Sequence, residues 1–227
     1  MAYEINKIVT ISEASVYISY SDVSEAAGDI RHLAFSSGID DIIREAFSEG
    51  EKKLVVLISR SSYSAEDMAA AVTRVYREDP ALVPKEPLAS VNMYSGTGAQ
   101  RLYEISINYG MTSEELDART AQLQAVDAFA ELDTSGMSEA ELAYAACEYL
   151  MEHCAVSEDR SDNTAYAALV GGRADSEGAA LAYIVLCREL GIDCRIVYGQ
   201  EDWTEHCWNI VRIDGSYYHV DITAAIE

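Results

Sequence analysis

Gly171-Gly172-Arg173-Ala174-Asp175-Ser176-Glu177-Gly178, an apolar stretch, then Glu205-His206-Cys207-Trp208-Asn209 and His219-Val220-Asp221-Ile222-Thr223 are the residues on which the fold turns. After the Gly-Gly break, Ala180, Leu181, Ile184, Cys187 and Leu190 recur at helical spacing up to the stop signal Gly191, so a helix begins at Asp175 or Ser176. A side chain there lies near unpaired N–H groups and the positive end of the backbone dipole, a good seat for a nucleophile. The same position is also where serine or aspartate caps a helix with no chemistry, and for an isolated serine capping is the simpler reading.

Downstream, Asp193 to Gly199 and Glu205 to Ile213 read as strands, Asp214-Gly215 is a two-residue hairpin signal, and Ser216 to Asp221 returns antiparallel. Alternation puts His206, Trp208 and Ile210 on one strand face and Cys207, Asn209 and Val211 on the other. The turn places Trp208 opposite Asp221, so Asp221 lies one same-face step from His206, within side-chain reach. Ser176, His206 and Asp221 are therefore the candidate nucleophile, base and orienter. Ala174 to Gly178 nearly matches the Gly-x-Ser-x-Gly elbow, but that elbow follows a strand and its triad runs serine, acid, histidine. Here His206 precedes Asp221, which excludes an α/β-hydrolase.

Together these residues resemble the transglutaminase-like superfamily. Its pattern is a cysteine in a Gly-x-Cys-x-Gly-Tyr-Ala helix start, a Leu-Gly-Ile turn, an Arg-x-Val strand, His-Ala-Trp-Asn and Val-Asp-x-Thr. This chain shows Ser176-Glu177-Gly178-Ala179-Ala180, Leu190-Gly191-Ile192, Arg195-Ile196-Val197, His206-Cys207-Trp208-Asn209 and Val220-Asp221-Ile222-Thr223. The resemblance implies an α+β fold with a papain-like scaffold. It also implies thiol acyl transfer on protein or peptide amides, by cross-linking of a glutamine side chain or by peptide hydrolysis. In that chemistry residue 176 attacks, His206 accepts and returns the proton, Asp221 orients His206, and the Ser176 N–H meets the oxyanion. Tyr166 lies upstream where a side-chain helper is expected. Trp203, Trp208 and Tyr217 are candidate walls of a peptide cleft, Trp208 being equally a core residue.

The departure is Ser176 in the cysteine's place. Cys187 lies three helical turns further on, roughly 16 Å along the axis, and alternation turns Cys207 from the His206 face, so neither replaces the thiol. An alcohol needs a well-aligned base at the moment of attack, whereas a thiol supplies some thiolate at neutral pH. Ser176 therefore implies lost chemistry, leaving a structural domain or one that binds a protein or peptide ligand. The alternative is an active enzyme, in which serine stands for a native cysteine or a Ser-His-Asp set hydrolyses amides.

Upstream of this region, helical patterns open at Ser113-Glu114-Glu115-Leu116 and at the capping box Ser138-Glu139-Ala140-Glu141. Residues 111–227 are thus expected to form the transglutaminase-like domain. Residues 1–110 form a mixed α and β segment similar to an extension found in some bacterial relatives. Its strands are Ile5 to Ile11, Val16 to Tyr20, Leu54 to Ile58, Ser90 to Tyr94 and Arg101 to Tyr109. Its helices run from Ile39 to Phe47 and from the Ser64-to-Asp67 cap to Tyr76. No Pro- or Gly-rich linker separates the segments, so they are expected to pack together.

Among 227 residues, 39 acidic against 16 basic side chains give a net charge of -23. That charge repels nucleic acid and anionic lipid, so neither is an expected partner. Five cysteines are an odd number without a disulfide pattern. The four histidines show no ligand spacing, so no metal or cofactor is expected. A start without an apolar leader predicts a cytoplasmic protein.

Overall fold

The structure is a computed structural model that describes residues 7–11, 14–18, 30–96, 98–201 and 203–226. The chain divides into two compact units, Met1–Arg74 with Pro87–Gly110, and Val75–Glu86 with Met111–Glu227.

In the first unit, β1 (Lys7–Ile11) and β2 (Ala14–Ile18) pair antiparallel, with Val9 opposite Val16. Ile5, Asn6, Ser19 and Tyr20 of the expected runs lie outside the described residues. Strands β3 (Ile30–Phe35), β4 (Lys53–Arg60), β5 (Leu88–Ser95) and β6 (Arg101–Asn108) form a sheet of order β3-β4-β6-β5. The continuous apolar run Leu54 to Ile58 is buried in central β4, as a strand covered on both faces requires. Strand β3 runs parallel to β4, and helix α1 (Ile39–Ser48) makes the crossover between them. In sequence β3 is hidden because Arg31-His32 interrupts its apolar pattern. Helix α2 (Ala65–Glu78), whose residues from Val75 onward belong to the second unit, opens on reciprocal bonds, Ser64 N–H to Asp67 Oδ2 at 2.8 Å and Asp67 N–H to Ser64 Oγ at 3.1 Å.

In the second unit, α3 (Ser113–Gln124) is capped by Thr112, and α4 (Glu139–His153) by the Ser138–Glu141 capping box. Two-residue strands β7 (Ala155–Val156) and β8 (Arg173–Ala174) pair parallel around the short helix α5 (Ala165–Leu169). Helix α6 (Ser176–Glu189) buries every residue from Gly178 to Ile184, the mark of a helix surrounded by its own domain. Strands β9 (Asp193–Glu201), β10 (Thr204–Ile213) and β11 (Ser216–Val220) form an antiparallel sheet of order β11-β10-β9.

Asp214 and Gly215 take φ of 49° and 78°, the left-handed pair that a type I′ turn needs. The turn sets Asn209 opposite Val220 and Ile210 opposite His219, the register expected from sequence. Cys207, Asn209 and Val211 form the buried face of β10, and Asn209 Nδ2–H donates to Ala180 O of α6 at 3.0 Å. Asp221 leaves the ladder and starts a short helix, α7 (Ile222–Ile226), by accepting Ala224 N–H at 3.2 Å.

Candidate active site

Ser176 opens α6, and Asp175 caps that helix by accepting Gly178 N–H at 2.9 Å. The Ser176 N–H lies in the first turn, beyond reach of an intrahelical carbonyl. Gly178 is dictated by a close approach, since a Cβ there would lie 2.4 Å from Asp162 O and 2.9 Å from Thr164 N. Asp162 is itself held, with Arg173 Nε–H at 2.8 Å and the Ser157 hydroxyl at 2.6 Å both donating to Oδ2. Its carbonyl accepts Asp175 N–H at 3.2 Å. The start of α6 is thereby positioned against a loop rather than left open. Ser176 Oγ accepts Cys207 N–H at 3.2 Å, tying the helix to β10.

His206 Nε2 meets Asp221 Oδ2 at 2.6 Å. Burial raises the Asp221 carboxyl, but hydrogen bonds from His206, Ala224 N–H and the Thr223 hydroxyl outweigh it and hold the group below the usual range. An imidazole that donates Nε2–H to Asp221 keeps Nδ1 as its acceptor. The Trp208 indole stacks on His206, with centroids 6.1 Å apart and planes at 23°. Its Nε1–H donates to His219 Nδ1 at 2.8 Å. Gly199 pairs with His206 across β9, and a Cβ there would meet the Trp208 ring at 2.4 Å. The glycine lets the indole lie over β9 and brace the histidine.

Ser176, His206 and Cys207 line a cleft of about 660 Å³ together with Arg77, Arg160, Asn163, Asp175, Glu177, Tyr198 and Glu205. Arg77 lies over the Tyr198 ring at 4.2 Å, and Tyr198 OH donates to Glu177 Oε1 at 2.9 Å. Asn163 Nδ2–H donates to Glu177 Oε2 at 3.2 Å, and Arg160 pairs with Glu205. Burial, then the Glu177 and Asp175 carboxylates, push the Cys207 thiol up to about 12 against the opposing Ser176 hydroxyl and Arg77. Burial and Glu177 likewise raise the Tyr198 phenol.

Residues 127–222 match the family model of the transglutaminase-like superfamily, a range that contains Ser176, His206 and Asp221. The chain carries a transglutaminase-like domain. A solved crystal structure of a TGase aligns with 92% of this chain and 58% of its own, at 12% identity and a TM-score of 0.40. The chain therefore spans less than two thirds of that protein's length. No curated protein is significantly similar to it.

In the transglutaminase-like domain Ser176 and His206 come to one cleft, and Asp221 comes to His206. Cys207 lies on the strand face opposite His206, as alternation requires, yet that face meets the start of α6 and brings Cys207 beside Ser176. Trp208 supports His206 from the sheet. Trp203 sits between β9 and β10, with φ of 69° and 95% exposure, and lies outside the set that lines the cleft. Tyr166 departs from its expected role. Its hydroxyl donates to Gln122 Oε1 at 2.6 Å, Arg119 covers its ring, and it lines a separate cavity of about 360 Å³. The reason is that α5 turns this side chain toward α3. Tyr217 is likewise exposed, on edge strand β11.

Sequence reasoning missed Arg77, Arg160, Glu177 and Tyr198 as cleft residues. Tyr198 had a signal, since it pairs with Cys207 across β9 and β10. Arg77 had none, being a hundred residues distant in the chain. Among the described residues no helix is long and apolar enough to cross a membrane.

Proposed function

We propose that this transglutaminase-like domain binds a protein or peptide ligand in the Ser176–His206 cleft without performing acyl transfer. The observation that carries this reading is that every hydroxyl or thiol lining the cleft is a protonated, poorly activated group. Ser176 is an alcohol whose oxygen accepts Cys207 N–H. The Cys207 thiol is pushed up to about 12, and the Tyr198 phenol is also raised. Thiolate is the species that attacks amides readily at neutral pH, and an alcohol substitutes for it only with a base aligned on its proton. The cleft keeps what ligand recognition needs, namely aromatic and cationic walls, paired carboxylates and the Ser176 N–H at the start of α6.

A second reading, retained amide chemistry, draws on the 2.6 Å His206–Asp221 bond, because that pair is the base and orienter a nucleophile requires. Calorimetry with glutamine-containing peptides, alongside hydroxylamine trapping of acyl-enzyme, separates the two. The chain as it stands is expected to bind peptide and form no trapped product. Ser176→Cys is expected to gain acylation, and His206→Ala in that background to lose about 10²–10⁴-fold, the contribution of a positioned base. Trapped product from the serine form would overturn the binding reading in favour of a Ser-His-Asp enzyme.

A further inference from the structure

We infer that Glu201, His206 and Asp221 form a binding site for a divalent transition-metal cation of the zinc class, a role independent of the peptide-binding reading. Their donor atoms lie within 4.8 Å of one another. His206 Nε2 stands 2.6 Å from Asp221 Oδ2 and 3.8 Å from Glu201 Oε2. In a tetrahedral zinc site with bonds of about 2.0–2.1 Å, neighbouring donors stand about 3.3 Å apart. The first separation has to open slightly and the second to close slightly, both within side-chain rotation. The parts are suited to this. His206 is braced by Trp208 and only 15% exposed, whereas the Glu201 side chain is 69% exposed and free to swing.

Asp221 is organised as a metal-bound carboxylate usually is, with the oxygen away from the metal held by other groups. Its Oδ1 accepts the Thr223 hydroxyl at 2.9 Å and Ala224 N–H at 3.2 Å, leaving Oδ2 toward His206. A cavity of about 210 Å³ adjoins the set and is lined in part by Glu201, His206, Ser176 and Thr223. Water takes roughly 30 Å³ in the liquid, so there is space for a cation together with water ligands. One imidazole with two carboxylates suits zinc and its first-row neighbours, whereas magnesium and calcium favour oxygen-only sets. The net charge of -23 raises the local concentration of any cation.

The proton balance closes without release. A neutral His206 gives Nε2 to the metal, and its ring proton moves to Nδ1, the nitrogen that would otherwise serve as base. Metal occupancy and base catalysis by His206 therefore exclude each other. Histidine spacing alone could not reveal this set, because two of its three donors are carboxylates.

Calorimetric titration of the full chain with Zn²⁺, and visible absorption with Co²⁺, test the assignment without any peptide. The expected result is one saturable site per chain, weakened at least about tenfold by Glu201→Gln. The Co²⁺ spectrum should lack a thiolate charge-transfer band. Glu201 is exposed enough that its variant should keep the parent circular dichroism. Equal affinity in Glu201→Gln, a thiolate band marking uptake by the five cysteines, or no saturable binding at millimolar Zn²⁺ would each overturn the site.

Discussion

Asp221 does two things with one carboxylate, holding His206 through Oδ2 and starting α7 through Oδ1. Because its folded-state pKa is depressed, its contribution to stability is present above the unfolded value of about 3.9 and is lost as pH falls through the folded value. Asp221→Asn is therefore expected to be less stable than the parent at pH 7, with the gap narrowing once the pH drops below about 4. Urea denaturation at pH 7 and pH 3 reads both, and an undiminished gap at the lower pH would refute the assignment. At this scale the sequence was informative where geometry is local. The strand register follows from the Asp214-Gly215 turn, and it alone brings Asp221 to His206. It was silent on Oδ1, since the helix that Asp221 caps is only five residues long.

At the scale of elements, the site depends on α6 being pinned at its first turn by the loop that carries Asp162. Gly178→Ala would place a methyl 2.4 Å from Asp162 O and 2.9 Å from Thr164 N, both main-chain atoms that cannot rotate away. The expected cost is that of overpacking, about 1–3 kcal/mol, measured as a fall in the urea midpoint with unchanged slope. A neutral outcome would mean that the loop yields and does not hold the helix start. Helix ends were legible where caps are local, as with Ser138 and Glu141. Strand β3 and the β7–β8 pair were not, because two-residue strands and a strand broken by Arg31-His32 carry no usable period. The Gly178 requirement was hidden too, for it arises from a backbone sixteen residues away in the chain.

For the whole molecule, 39 acidic against 16 basic residues leave a self-repelling surface at neutral pH. Raising salt shortens the Debye length from about 30 Å at 0.01 M to about 8 Å at 0.15 M, so the melting temperature is expected to climb over that range. A fall over the same range would mean that attractive ion pairs, such as Arg188–Asp79 at 2.8 Å, outweigh the net repulsion. Charge is a property that composition states outright, and no folding is needed to read it.

By itself the sequence determined the features that depend on neighbours along the chain. These are the helix beginning at Ser176, the β10–β11 hairpin and its register, the His206–Asp221 pair, and the acidic surface. Only the tertiary structure decided which distant side chains share the cleft. It brought in Arg77 and Tyr198, turned Tyr166 to Gln122, placed Cys207 beside Ser176, and set Glu201 near His206. The physical reason is range. Turn geometry and backbone period act over a few residues, whereas the direction of a side chain into a cavity is set by packing between elements that no local pattern encodes.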